Sequence, residues 1–141
     1  MDKRPSRSAG AVVYRRTRHS VRLLALRAYA NWDFPKGLLE DDETEFHCAQ
    51  REVFEETGLA DLAYPFGEDA YKETLPYATG KIARYYLAET EIADVVLPDS
   101  PELGRPEHDE WRWLSFDEAE DLLPPRLAHV LYWARATIEG H

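Results

Sequence analysis

At 141 residues and 44% hydrophobic composition, the chain is long enough to bury a core and short enough for one domain, expected to span residues 1–141. A formal net charge of −10 argues against a broad basic surface for nucleic acid, so no DNA partner is expected. It leaves polyphosphate substrates open, because a bound divalent cation and a few local lysines or arginines reverse the sign within one cleft.

The segment Met1–Ser6 is polar and expected to be loose. Ser8–Tyr14 (SAGAVVY) predicts a buried strand and Val21–Arg27 (VRLLALR) its neighbour, joined by a basic turn read as a solvated hairpin tip. Trp32–Phe34 is a short extended piece, and Pro35-Lys36-Gly37 breaks it and opens a loop. Asp41 and Asp42 are N-cap candidates, with Glu45 at capping-box spacing from Asp42. From Glu43 to Thr57 no Gly or Pro intervenes, and Phe46, Ala49, Val53 and Phe54 recur at helical spacing, with Gly58 as the natural stop. Leu59–Phe66 contains Pro65 and reads as a linker or edge strand.

Asp69–Leu75 and Ile82–Ala88 are the next predicted strands, separated by the turn-rich run Pro76–Gly80. Val95–Arg105, with Pro98, Pro101 and Gly104, reads as a loop. Glu110–Leu114 (EWRWL) is a strand whose Trp111 and Trp113 share a core-facing side. Ser115 with Glu118 makes a capping box and starts a helix through Leu123, which Pro124-Pro125 ends. Arg126–Glu139 predicts a last helix with Leu127, Val130, Leu131, Ala134 and Ile138 on its core face. Mainly strands, one internal helix and C-terminal helices make a mixed sheet between helical layers.

Cys48, the one cysteine, reads as a core residue and cannot form an internal disulfide. His47 and His129 lack a second histidine at zinc-ligand spacing. No signal peptide and no apolar run near about 18 residues is present, so no membrane partner is expected and the cytoplasm is the expected compartment.

The chemistry gathers on the last turns of the internal helix. Glu52 and Glu56 lie one above the other with Glu55 on the adjoining face. Like charges at that spacing cost an isolated helix roughly 0.2–0.5 kcal/mol per pair, and the dipole at a helix C-terminus favours cations instead. A hard divalent cation resolves the conflict, since Mg²⁺ or Mn²⁺ takes carboxylate oxygens and leaves sites for water and phosphate.

The pattern runs Gly37, five residues, Glu43, seven residues, then Arg51-Glu52-Val53-Phe54-Glu55-Glu56-Thr57-Gly58-Leu59. At every fixed position it resembles the motif of the Nudix hydrolases. The resemblance implies an α/β/α sandwich with a mixed sheet and the motif's loop–helix–loop at one side. It also implies attack of water, activated at a divalent metal, on a phosphoanhydride. Carried onto these positions, it makes Glu52 and Glu56 metal ligands, Glu55 a ligand or the base, and the Gly37 carbonyl a further ligand. Glu52, Glu55 and Arg51 then form the catalytic group, Arg51 by orienting carboxylates and pairing with Glu43. Which glutamate is the base stays open, because coupled carboxylates share protons.

Glu107, just before the EWRWL strand, is either the extra metal-binding or basic glutamate that such relatives carry in this loop or a surface charge; His108 beside it is a weaker cleft candidate. Lys36, Lys81 and Arg84 are phosphate-binding candidates, with a solvated side chain as the other reading of each. Tyr77 is a candidate for base stacking, and Tyr71, Tyr85 and Tyr86 compete with it. Alternation puts Tyr85 and Tyr86 on opposite faces, so one of them is expected to face substrate, with Tyr85 taken as the substrate contact.

Outside the motif, WDFPKG, Tyr71-Lys72-Glu73, Tyr77, Tyr85–Glu89 and Trp111–Leu114 resemble the asymmetrical diadenosine tetraphosphate hydrolases. That likeness implies cleavage of diadenosine tetraphosphate to ATP and AMP. Leu38-Leu39 and Asp41-Asp42 depart from the His-Val and Pro-Gly common there. Bacterial RNA pyrophosphohydrolases share WDFPKG and WRW, which makes an RNA 5′ end the alternative substrate, ahead of other nucleoside di- or triphosphates. A nucleotide-binding sensor without catalysis is the non-enzymatic alternative, which the intact glutamates disfavour.

Overall fold

Every residue from Ala9 to Val13 and Tyr14 after it is fully or almost fully buried, so this strand is covered on both faces, as a central strand between two layers must be. The computed structural model describes residues 6–140. Of the segment expected to be loose at the N-terminus, all but Ser6 lies outside them. Seven strands form one sheet: β1 (Arg7–Arg16), β2 (Val21–Ala28), β3 (Asn31–Asp33), β4 (Lys36–Leu38), β5 (Lys72–Glu73), β6 (Ile82–Glu89) and β7 (Glu110–Leu114). Their order is β3-β2-β1-β6-β5, with β4 also on β1 and β7 also on β2. The β1–β6 pair is parallel, Arg7 opposite Ile82 through Tyr14 opposite Glu89, and the others are antiparallel.

Alternation assigns the two faces. Val12, Tyr14, Leu23, Ala25, Tyr85 and Leu87 pack with Phe116, Leu127, Val130 and Ile138. These come from α2 (Phe116–Leu122), a 3₁₀ turn at Pro125–Leu127 and α3 (Ala128–Glu139). Ala11, Val13, Leu24, Leu26, Tyr86 and Ala88 pack on the other side with Cys48, Ala49 and Val53 of α1 (Glu45–Thr57). The result is the expected α/β/α sandwich with a mixed sheet. Trp111 and Trp113 pack together against the α1-side core, and the Trp113 Nε1–H donates to the Ala93 carbonyl at 2.7 Å.

One irregularity positions everything that follows. β1 pairs with β2 only at Tyr14–Arg16, and the same edge of β1 pairs with β4 at Ser8–Gly10. β2 in turn gives the far end of its edge to β3. The two long strands therefore splay apart, and residues 31–38 fill the wedge. In β4 the alternation turns Gly37 toward α1 and Lys36 away from it.

Some boundaries differ from the sequence expectation. The N-cap of α1 is Thr44, whose hydroxyl accepts from the His47 N–H, and the helix starts at Glu45 rather than Glu43. Asp42 sits at φ 65°, outside the extended range an N-cap needs, and the Glu43 side chain is drawn to Arg51. Gly58 closes the helix as expected, at φ 69° with its N–H on the Phe54 carbonyl. The strand expected over Asp69–Leu75 contracts to Lys72–Glu73, and the last helix begins with the 3₁₀ turn. Among the described residues no helix is long and apolar enough to cross a membrane.

Candidate active site

The last two turns of α1 present Glu52, Glu55 and Glu56, and three other pieces of chain close around them. β4 lies so near that a Cβ at Gly37 would stand 2.1 Å from the Glu52 carboxyl carbon; any larger residue there would push that carboxylate aside. The Lys36 backbone N–H donates to Glu56 Oε1 at 2.9 Å. From the opposite side, Glu107 and His108 reach in, and their ligand atoms and that of Glu56 lie within 4.8 Å of one another. This loop is anchored to β2: Arg27 Nε donates to Asp109 Oδ1 at 3.0 Å, and the Asp109 N–H donates to the Arg27 carbonyl. Leu97, Pro98, Ser100 and Pro101 form the remaining wall of a cavity of about 50 Å³.

Arg51 organises the carboxylates. Its Nε and Nη2 grip Glu43 at 2.7 and 2.8 Å, as the sequence spacing led us to expect, and Nη1 reaches Glu52 at 2.7 Å and Glu55 at 3.2 Å. The guanidinium holds Glu43 down at about 2. Burial pushes Glu56 up to about 9, with Glu107 and Glu52 adding to it and the Lys36 N–H opposing it. Burial also raises Glu52, against the pull of Arg51. The His108 imidazole is lowered, first by burial.

Four glutamates and one imidazole make a donor set suited to a hard divalent cation. The fit shows in Glu56: a carboxylate driven to about 9 by burial and its neighbours carries the unrelieved repulsion that such a cation cancels. Glu52, Glu55, Glu56 and Glu107 line one cleft, and Gly37 abuts it.

The remaining sequence candidates separate. Lys36 sends its ammonium to within 3.7 Å of Asp33. Tyr77 is half-buried and its ring lies under the Arg126 guanidinium, 4.6 Å from centroid to Cζ. Lys81 is exposed and joined to Tyr77 through its backbone. Arg84 is not brought to this group: on the α1 face of β6 it pairs with Glu73 at 2.9 Å and Glu45 at 3.6 Å and lies over Tyr71. Tyr85 is corrected outright. It is fully buried on the α2–α3 face and its hydroxyl donates to Asp33 Oδ1 at 2.9 Å, so its ring is shut off from any substrate.

Asp33 and Arg126 were missed. Arg126 Nη2 donates to Asp33 Oδ2, linking the wedge to the start of α3. A cation in the first turn of a helix, where the dipole disfavours it, was the available signal.

A mixed-sheet sandwich with clustered glutamates on one helix end suits an enzyme that hydrolyses phosphoanhydride bonds, and the chain's relatives show it to be one. The chain belongs to the Nudix hydrolases: the NUDIX domain matches residues 4–134. It is similar to the asymmetrical bis(5′-nucleosyl)-tetraphosphatase of Caenorhabditis elegans, 30% identical over 118 residues that cover 80% of this chain and 81% of that protein. The crystal structure of a C. elegans Ap4A hydrolase binary complex superposes with a TM-score of 0.82 at 27% identity, over 96% of this chain and 99% of that one. An RNA pyrophosphohydrolase of Bartonella tribocorum is 23% identical over 112 residues, 70% of this chain and 65% of its own length. The common ground of these relatives is hydrolysis of nucleoside polyphosphates.

Proposed function

We propose that the protein hydrolyses diadenosine tetraphosphate asymmetrically, to ATP and AMP, with Mg²⁺ (or Mn²⁺) held by Glu52, Glu56 and Glu107, by Glu55 where it ligates, and by the Gly37 carbonyl. The observation that carries this reading is a run of contacts leading one way out of the carboxylate cluster. Carboxylates crowd one end, and contacts run from Glu56 through the Lys36 N–H to the Lys36 ammonium, Asp33, Arg126 and Tyr77. A substrate gripped at the Tyr77 end has one particular phosphorus over the glutamates, which is what asymmetric cleavage requires.

A divalent cation bound there supplies positive charge to the phosphate oxygens and lowers the pKa of water. The chain's own groups do the rest. Arg51 orients Glu52 and Glu55, a carboxylate of the cluster takes the proton of the attacking water, and Lys36 and Lys81 hold phosphate oxygens. The water oxygen bonds to phosphorus and the bridging oxygen leaves with the departing nucleotide. The whole chain, 1–141, acts as one domain in this reading and works in the cytoplasm.

The likeness to RNA pyrophosphohydrolases supports a second reading, removal of pyrophosphate from RNA 5′ ends. Chromatography of products formed with Mg²⁺ separates the two. ATP with AMP is the expected pair; two ADP overturns the asymmetric reading, and faster pyrophosphate release from 5′-triphosphorylated RNA moves the assignment to the second.

A further inference from the structure

We propose that the surface on which a substrate base stacks is the guanidinium of Arg126, laid on the Tyr77 ring and pinned by Asp33. This deepens the reading above and rests on it only in taking the substrate to carry a nucleobase. Tyr77 packs against the core between the sheet and α3, and Arg126 lies over its ring at 4.6 Å. A base stacked on that face of Tyr77 would have to displace Arg126.

Asp33 makes such displacement costly. Its carboxylate is only 14% exposed and accepts from Arg126 Nη2, from the Tyr85 hydroxyl at 2.9 Å and from the Phe34 N–H at 2.7 Å, with Lys36 Nζ at 3.7 Å. Removing Arg126 leaves a nearly buried carboxylate short of its main cation, a loss that is expensive in low dielectric.

The same contacts decide what Arg126 has left to offer. Gripping a phosphate bidentately uses the guanidinium fork, and here Nη2 is engaged by Asp33. One planar face is occupied by Tyr77. Nη1 is buried, so what remains for a ligand is the opposite face, on a side chain 25% exposed. A flat heteroaromatic ring fits that face, since bases stack on guanidinium planes as they do on aromatic rings. Lys36, Asp33 and Arg126 together carry one net positive charge, so the platform attracts the polyphosphate as well. Arg126 is thus a specificity-determining residue and Asp33 a positioning residue.

The test compares ligands with and without a base. Arg126→Lys keeps the charge and loses the plane. Its KM for diadenosine tetraphosphate should rise about tenfold, the scale of one lost base stack, with kcat little changed and inhibition by inorganic tripolyphosphate unaltered. Asp33→Asn, which frees the guanidinium, should raise KM likewise without weakening tripolyphosphate, and decides the matter if Arg126→Lys does not fold. An unchanged KM, or equal weakening of dinucleotide and tripolyphosphate, overturns the proposal. Calorimetric binding of AMP needs no turnover. If the wild type leaves diadenosine tetraphosphate intact yet binds AMP, and Arg126→Lys loses that affinity, the substrate reading falls and this one stands; AMP affinity retained in Arg126→Lys sinks this one alone.

Discussion

Glu56 is the residue under most tension. Its folded pKa of about 9 stands above the ordinary 4.5, so its contribution to stability is complete below about pH 4.5 and is lost as pH rises through 9. Glu43 runs the other way: held at about 2, it contributes above the ordinary carboxylate range and fails as pH falls toward 2. With no divalent cation present, the melting temperature should therefore decline from pH 5 to 9, and Glu56→Gln should flatten that decline. Mg²⁺ should raise the melting temperature of the wild type more at pH 8 than at pH 6, because ligation releases the proton. Glu56→Gln should also lower turnover by at least ~10–100-fold, the cost already seen on losing mere supporting partners of a metal site. A variant with near wild-type kcat and an unchanged pH–stability slope would remove Glu56 from the site.

At the scale of elements, α1 was readable because its signals agree: helical apolar spacing, no breakers, a closing glycine. Its first turn was not, because Asp41, Asp42 and Thr44 all offer capping side chains and the choice is made by Arg51 pulling Glu43 out of the helix. Thr44→Ala should therefore destabilise by about 1 kcal/mol, the usual worth of an N-cap, whereas Asp42→Ala should cost far less by urea denaturation. Equal losses would return the cap to Asp42. The strand of Tyr85 and Tyr86 shows a different limit. Alternation separated the two rings correctly, but only the placement of α3 against one face and α1 against the other reveals that both are buried. The Asp33–Arg126 pair joins residues 93 positions apart, and no local pattern reports such a contact. Glu52, Glu55, Glu56, Arg51 and Gly37 were legible because α1 and β4 before it carry them all.

For the whole molecule, the parallel pairing of β1 with β6 has a kinetic consequence. The glutamate helix, the wedge and Tyr77 lie within the excursion that β1 and β6 close, and Glu107 and Arg126 follow it. Contacts so distant along the chain must await a long loop closure, and topologies dominated by them fold slowly. The contacts within α1 are local and need no such closure, whereas the burial that perturbs Glu52 and Glu56 arrives only when the excursion shuts. Refolding from urea should thus show helical signal returning ahead of tryptophan fluorescence, with activity recovering at the later rate. Activity that tracked the helical signal would mean the cleft assembles without its sheet. The order of events matters to the cell as well: a ribosome must release β6 before β1 finds its parallel neighbour, so through most of synthesis the nascent chain carries its catalytic apparatus disarmed.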